Sequence, residues 1–124
     1  MSLSTLAGAP VFDRDGFTFR PLAVPSRGST ELAVWSPELA PGARCEPHQM
    51  DREEVFVVLH GEVSASVAGE EVLAGPGDAV IVPAQAVLRL SNASAQVPAA
   101  VTAVTSAGMK ATVGGATFPP PWSQ

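Results

Sequence analysis

The chain has 124 residues, the size of one domain, and its 46% hydrophobic against 15% charged residues supply enough apolar surface for one core. Its formal charge of −5 and the absence of any Lys/Arg cluster exclude a nucleic-acid backbone as partner, since nothing could release counterions from it. Cys45 is the only cysteine, so an internal disulfide is excluded. Met1–Pro10 lacks the basic and apolar regions of an export signal, and no run is long enough to span a membrane, so a reducing, cytoplasmic setting is expected.

Twelve prolines and eleven glycines interrupt every apolar run before it reaches helical length. The runs between them are rich in Val, Phe, Thr and Leu and predict strands at 17–24, 30–35, 54–59, 62–67, 79–82, 87–90 and 101–105. Phe19 and Trp35, in the first two, fit core packing, a pocket mouth or a dimer interface. Residues 55–59 are apolar on both faces, which marks a central strand, whereas Val63, Ala65 and Val67 alternate with polar neighbours as in a half-buried one. Turn signals at Ser26-Arg27-Gly28, Pro41-Gly42, His60-Gly61 and Gly75-Pro76-Gly77-Asp78 complete the pattern of an antiparallel sandwich, barrel or jelly roll. Periodicity does not choose among the three.

Asn92-Ala93-Ser94 matches a glycosylation sequon, which has meaning only in a secreted chain. The tail, 117–124, carries Pro119-Pro120-Pro121-Trp122. Such a segment cannot join a ladder, and it is expected to lie extended against the body with Trp122 as its anchor; a proline-recognition ligand is the alternative.

The stretch 42–61 reads Gly42, five residues, His48-Gln49-Met50, three residues, Glu54, six residues, Gly61. It resembles the first cupin motif, in which Met50 stands where the family has a second histidine. The run 77–92 resembles the second cupin motif, with Gly77, Pro83 and Asn92 in place, Gln85 where the family has a glycine and Leu88 where it has a third histidine. The resemblance implies an all-β fold, a double-stranded β-helix or jelly-roll barrel, for a single cupin domain spanning 1–124.

Strand parity places His48 and Met50 on one face, and Glu54, Phe56 and Val58 on one face of the next strand. If these faces line the barrel, the expected pocket wall contains His48, Met50, Glu54, Phe56, Leu88 and one of Val80 or Val82. Cys45 has the opposite parity to His48 and is expected to face away, and His60 is expected on the surface.

The family implies a divalent metal held by three histidines and a glutamate. Carried over, only His48 and Glu54 remain, so no tightly bound iron, manganese or zinc is expected. A weak divalent site would need help from water, Asp51, Glu53, Gln49 or Gln85. A carboxylate in an apolar pocket is reconciled with a neighbouring imidazole by a hydrogen-bonded His48–Glu54 pair, which could serve as a general acid and base or as a satisfied polar pair without turnover.

Three functions remain open. The first is a metal-poor cupin binding a small, largely apolar or carboxylated molecule. The second is an enzyme, either a metal-free isomerase, epimerase or cyclase using Glu54 and His48 or an oxygenase with an incomplete metal site. The third is a structural or regulatory module with a vestigial pocket. A homodimer is the default assembly for all three.

Overall fold

The computed structural model describes residues 1–124. Twelve strands follow in chain order: β1 (Phe12–Arg14), β2 (Phe17–Ala23), β3 (Leu32–Leu39), β4 (Gln49–Met50), β5 (Glu54–His60), β6 (Val63–Val67), β7 (Glu70–Ala74), β8 (Ala79–Val82), β9 (Leu88–Asn92), β10 (Ala99–Ser106), β11 (Ala111–Val113) and β12 (Ala116–Phe118). Two short 3-10 turns, Pro25–Arg27 and Pro121–Ser123, are the only helical segments, and no helix is long and apolar enough to cross a membrane.

One wall is a six-stranded antiparallel sheet ordered β1-β2-β3-β10-β5-β8. The other is made of two three-stranded sheets, β12-β11-β4 and β7-β6-β9. Residues 44–48 join these two, because His48 exchanges backbone hydrogen bonds with Leu88, and Arg44 bridges Ser91. The walls close on a core that includes Trp35, Phe56, Val58, Val63, Leu88, Leu90 and Val101, the arrangement of a jelly-roll barrel.

Each predicted strand is present. The third, β5, is central as its two-sided apolar run implies, paired with β10 on one side and β8 on the other. Five strands were not predicted. Four of them, β1, β7, β11 and β12, belong to hairpins closed by Asp15-Gly16, Ala68-Gly69 and Gly114-Gly115, in which both residues adopt positive φ, as a type I′ turn requires. β7 opens with Glu70-Glu71 and is exposed until Ala74, so it has no buried face to show in the sequence.

The second predicted strand runs on to Leu39, through Pro37. Proline cannot donate to a ladder, yet β3 lies between β2 and β10. The β3–β10 register passes from Ala103↔Trp35 to Ala100↔Glu38 and leaves Ser36 and Pro37 without partners there, next to a bulge at Ala100/Val101. The missing N–H falls in that gap.

Several motif residues act on the frame. Gly61 has φ +74°, and a Cβ added to it would sit 2.8 Å from the Cα and Cβ of Ala99 and from the Pro98 carbonyl oxygen. Gln85, at the position where the family motif has a glycine, is itself in the left-handed region, with φ 68°. Asn92 is buried, donates from its amide to the carbonyls of Leu39, Ala40 and Val97, and accepts from the Ser94 N–H. Its amide nitrogen is occupied in the fold, so the sequon is a structural clamp.

Candidate functional site

A cavity of about 90 Å³ opens between the walls. On the usual scale of such volumes it has room for several waters or a small organic molecule. Phe17, Phe19, Trp35, Phe56, Phe118 and Trp122 give it an aromatic lining. β2 and β3 carry the first three, and the C-terminal segment supplies the last two. The expected packing of the tail is therefore present, and it packs over the cavity. Trp122 lies face to face on Phe19, with centroids 3.8 Å apart and 4° between ring planes.

Glu54 opens β5 and faces the cavity, as do Phe56 on the same strand and Met50 on β4. Glu54 is only 2% exposed, and no hydrogen bond or ion pair reaches its carboxyl. Burial alone pushes its pKa up to about 8, so the carboxyl holds its proton at neutral pH.

His48 also lines the cavity. Its Nδ1 lies 2.9 Å from the Glu46 carbonyl oxygen. A carbonyl only accepts, so Nδ1 carries the hydrogen and, in the neutral ring, Nε2 keeps the lone pair. Burial holds the His48 pKa below the usual imidazole value, against the opposing pull of the Glu46 carbonyl, and Arg14 lowers it further. The hydrogen-bonded His48–Glu54 pair expected from the sequence does not form: the imidazole is turned to its own chain, leaving Glu54 alone.

Two wall assignments are corrected. Leu88 does not line the cavity. It points inward from β9 and is fully buried in core, and Leu90, two residues on, forms the wall instead. Val80 and Val82 are likewise core.

Cys45 faces the cavity, contrary to its parity with His48. The pairing with β9 shifts by one residue between Arg44↔Ser91 and His48↔Leu88, around Pro47, and this irregularity breaks the two-residue alternation. The Cys45 thiol lies 3.9 Å from His48 Nδ1 and receives the Leu90 N–H at 3.1 Å. Burial pushes its pKa up, and the Leu90 N–H opposes that rise. Of the charged residues, Arg14, Asp15 and Glu46 sit exposed at the rim, and Arg14 lies 3.8 Å from Asp15. His60 is exposed on the surface, as expected.

The cupin domain family matches residues 37–105, more than half of the chain. The chain is a cupin. Solved structures similar to it include a cupin-2 domain of Rhodospirillum rubrum, 15% identical at TM-score 0.78, covering 98% of this chain and 82% of that one. The polyketide cyclase RemF from Streptomyces resistomycificus is 17% identical at TM-score 0.74, over 96% and 82% of the two chains. An RmlC-like cupin from Shewanella frigidimarina is 19% identical at TM-score 0.73, over 86% and 90%. No curated protein matches the sequence.

The donors of this cupin do not fit the divalent site that its family implies. Met50 and Leu88 replace two imidazoles, and no three His, Cys, Asp or Glu side chains are grouped to hold a cation. Nor do the auxiliary ligands converge. Asp51 accepts the Lys110 N–H, Glu53 and Gln85 are exposed, and Gln49 pairs with Thr112 in the sheet without lining the cavity.

Proposed function

We propose that this cupin, as one domain over 1–124, binds a small, largely apolar molecule in its barrel without a tightly held metal. The observation that carries the reading is Glu54: a buried, unpartnered carboxyl facing an aromatic cavity is a costly feature that a ligand hydrogen bond would satisfy. Near neutral pH the shifts at Glu54, His48 and Cys45 all favour the uncharged forms. The interior then offers the Glu54 O–H as a donor and His48 Nε2 as an acceptor. A carboxylated ligand would place its charge at the rim, toward Arg14.

The test is a thermal-shift and calorimetric screen of small carbonyl and hydroxyl compounds against wild type and Glu54→Leu. Compounds that bind wild type are expected to lose about tenfold or more in affinity when the Glu54 hydrogen bond is removed. Equal affinity for both proteins would take Glu54 out of the site.

A second reading is favoured by the same two groups. A protonated carboxyl and a lone-pair nitrogen on one cavity are the parts of metal-free proton transfer, with His48 Nε2 taking a proton from the substrate and Glu54 delivering one to a carbonyl oxygen. Structures similar to this cupin include a polyketide cyclase and a sugar phosphate isomerase. On this reading Glu54→Gln and His48→Gln each abolish turnover while leaving the melting temperature within a few degrees. Retained turnover in either variant would reject the acid–base roles.

A homodimer is proposed as the assembly. The free edge strands β7 and β8 expose Val72, Leu73 and Ile81, an apolar surface of the kind that subunits cover. Light scattering after size exclusion decides it. The lone free cysteine fits a reducing, cytoplasmic compartment.

A further inference from the structure

The tail that lines the cavity through Phe118, Pro120 and Trp122 has little hydrogen bonding to the barrel. β12 ends at Phe118, and beyond it Pro119, Pro120 and Pro121 have no N–H to offer. Most hydrogen bonds of the segment are internal: Ser123 N–H and Oγ both donate to the Pro120 carbonyl, and the Gln124 side chain donates to the carbonyls of Pro119 and Pro120. The one bond to the barrel runs from the Ser26 N–H to the Gln124 carbonyl at 2.7 Å. Everything else that holds the segment down is packing, centred on Trp122 against Phe19.

That stack has an unusual geometry. Aromatic faces carry partial negative charge, so rings prefer an offset or edge-to-face arrangement to a sandwich. Phe19 and Trp122, at 3.8 Å and 4°, are close to a sandwich. Phe17 lies beneath on the same strand, 5.8 Å from Phe19 at 18°, so the three rings form a short column with Trp122 at its end. The barrel thus presents Phe19 as a flat apolar platform, and an indole from the tail occupies it. Apolar burial holds the indole there; ring electrostatics oppose it.

Resting on the ligand-binding reading above, we propose that residues 119–124 form a displaceable lid and that Trp122 occupies the platform until a planar aromatic ligand takes its place on Phe19. The platform selects electron-poor rings, such as aryl ketones, because a carbonyl withdraws the electron density that opposes face-to-face stacking. The same carbonyl is the acceptor that the Glu54 O–H lacks. Lid and ligand therefore compete for one surface, and the free energy of closing the lid is subtracted from ligand affinity.

The experiment uses acetophenone and cyclohexyl methyl ketone, which share a carbonyl and differ in the ring, with wild type and Trp122→Ala. Binding is measured by NMR titration. In parallel, ¹⁹F spectra of wild type labelled with 5-fluorotryptophan report on Trp122, with Trp35→Phe assigning its resonance. Acetophenone is expected to bind Trp122→Ala about fivefold or more tighter than wild type. It is also expected to bind wild type more tightly than the saturated ketone does, and to move the Trp122 resonance to the solvent-exposed position.

Tighter binding to wild type than to Trp122→Ala, or binding that leaves the Trp122 resonance in place, would show a fixed wall and overturn the lid while leaving the cavity a binding site. Equal affinity for the two ketones would overturn the aromatic platform alone. Failure of acetophenone to bind either protein rejects this inference, and the Glu54→Leu screen then judges the broader reading separately. The labelled wild type keeps the test decisive even if Trp122→Ala folds poorly.

Discussion

Glu54 links stability to pH with a sign opposite to that of most carboxylates. Its folded pKa of about 8 lies above the ordinary carboxylate value of 4.5, so the folded state retains the proton where the unfolded chain has lost it. Stability from this group is full below the unfolded value and falls as pH rises through the folded one. His48 runs the other way: its folded pKa is lowered below 6.5, so its contribution is lost as pH falls below that value. The two oppose each other in mild acid; between pH 6.5 and 8 Glu54 dominates, and Cys45, whose pKa burial raises, adds to the fall only in more alkaline solution. Between pH 6.5 and 8 the stability of wild type is expected to fall by roughly 2 kcal/mol, at about 1.4 kcal/mol per unit. Urea titrations across that range should show the fall in wild type and not in Glu54→Gln. Parallel curves would place the carboxyl in a wetter site than its burial indicates.

The two glycines that bound the first motif make a second comparison at this scale. Both Gly42 and Gly61 have positive φ, at +72° and +74°, but a Cβ on Gly42 meets nothing within 4 Å. Gly42→Ala is expected to cost only the left-handed backbone preference, about 1–2 kcal/mol. Gly61→Ala adds an overlap with the Ala99 backbone and should cost at least about 2 kcal/mol more. Equal midpoints in chemical denaturation would contradict the packing of Gly61 on Ala99.

Among the elements, β9 shows how one strand serves the frame and the cavity together. Leu88, Leu90 and Asn92 all face inward, but at successive depths: core, cavity wall and clamp. Asn92 holds the end of β3 and the approach to β10 through the carbonyls of Leu39, Ala40 and Val97. Replacing it by alanine leaves buried carbonyls unpaired and should destabilise the protein by about 2–4 kcal/mol. Hydrogen exchange would show the loss concentrated in β3, β9 and β10. A uniform change over all strands would mean that Asn92 acts by general packing.

For the whole molecule, the question is whether the barrel still places ligand positions where its family has them. His48 is paired across the sheet with Leu88, and Met50 and Glu54 face the same cavity. The substitution Met50→His puts a third donor of the motif on the cavity beside His48 and Glu54. With Co(II) it is expected to develop visible d–d absorption at one equivalent, while wild type develops none. Tight stoichiometric binding by wild type would instead overturn the metal-poor reading of this cupin.

The chain by itself determined the family and the frame, because glycines with forced φ, a buried amide clamp and alternating apolar strands are local demands that leave a mark at fixed spacing. His48, Met50, Glu54 and Phe56 were legible as cavity residues for the same reason: their strands keep regular alternation. Cys45 and Leu88 were not, since a one-residue shift beside Pro47 and the depth of β9 in the barrel are set by neighbouring strands. The hairpins carrying β1, β7 and β12 left only weak marks, because their residues are short, exposed or glycine-rich. Only the tertiary structure brought Trp122 onto Phe19 from the opposite end of the chain. Such a contact depends on how the barrel closes, and no local pattern of either segment records it.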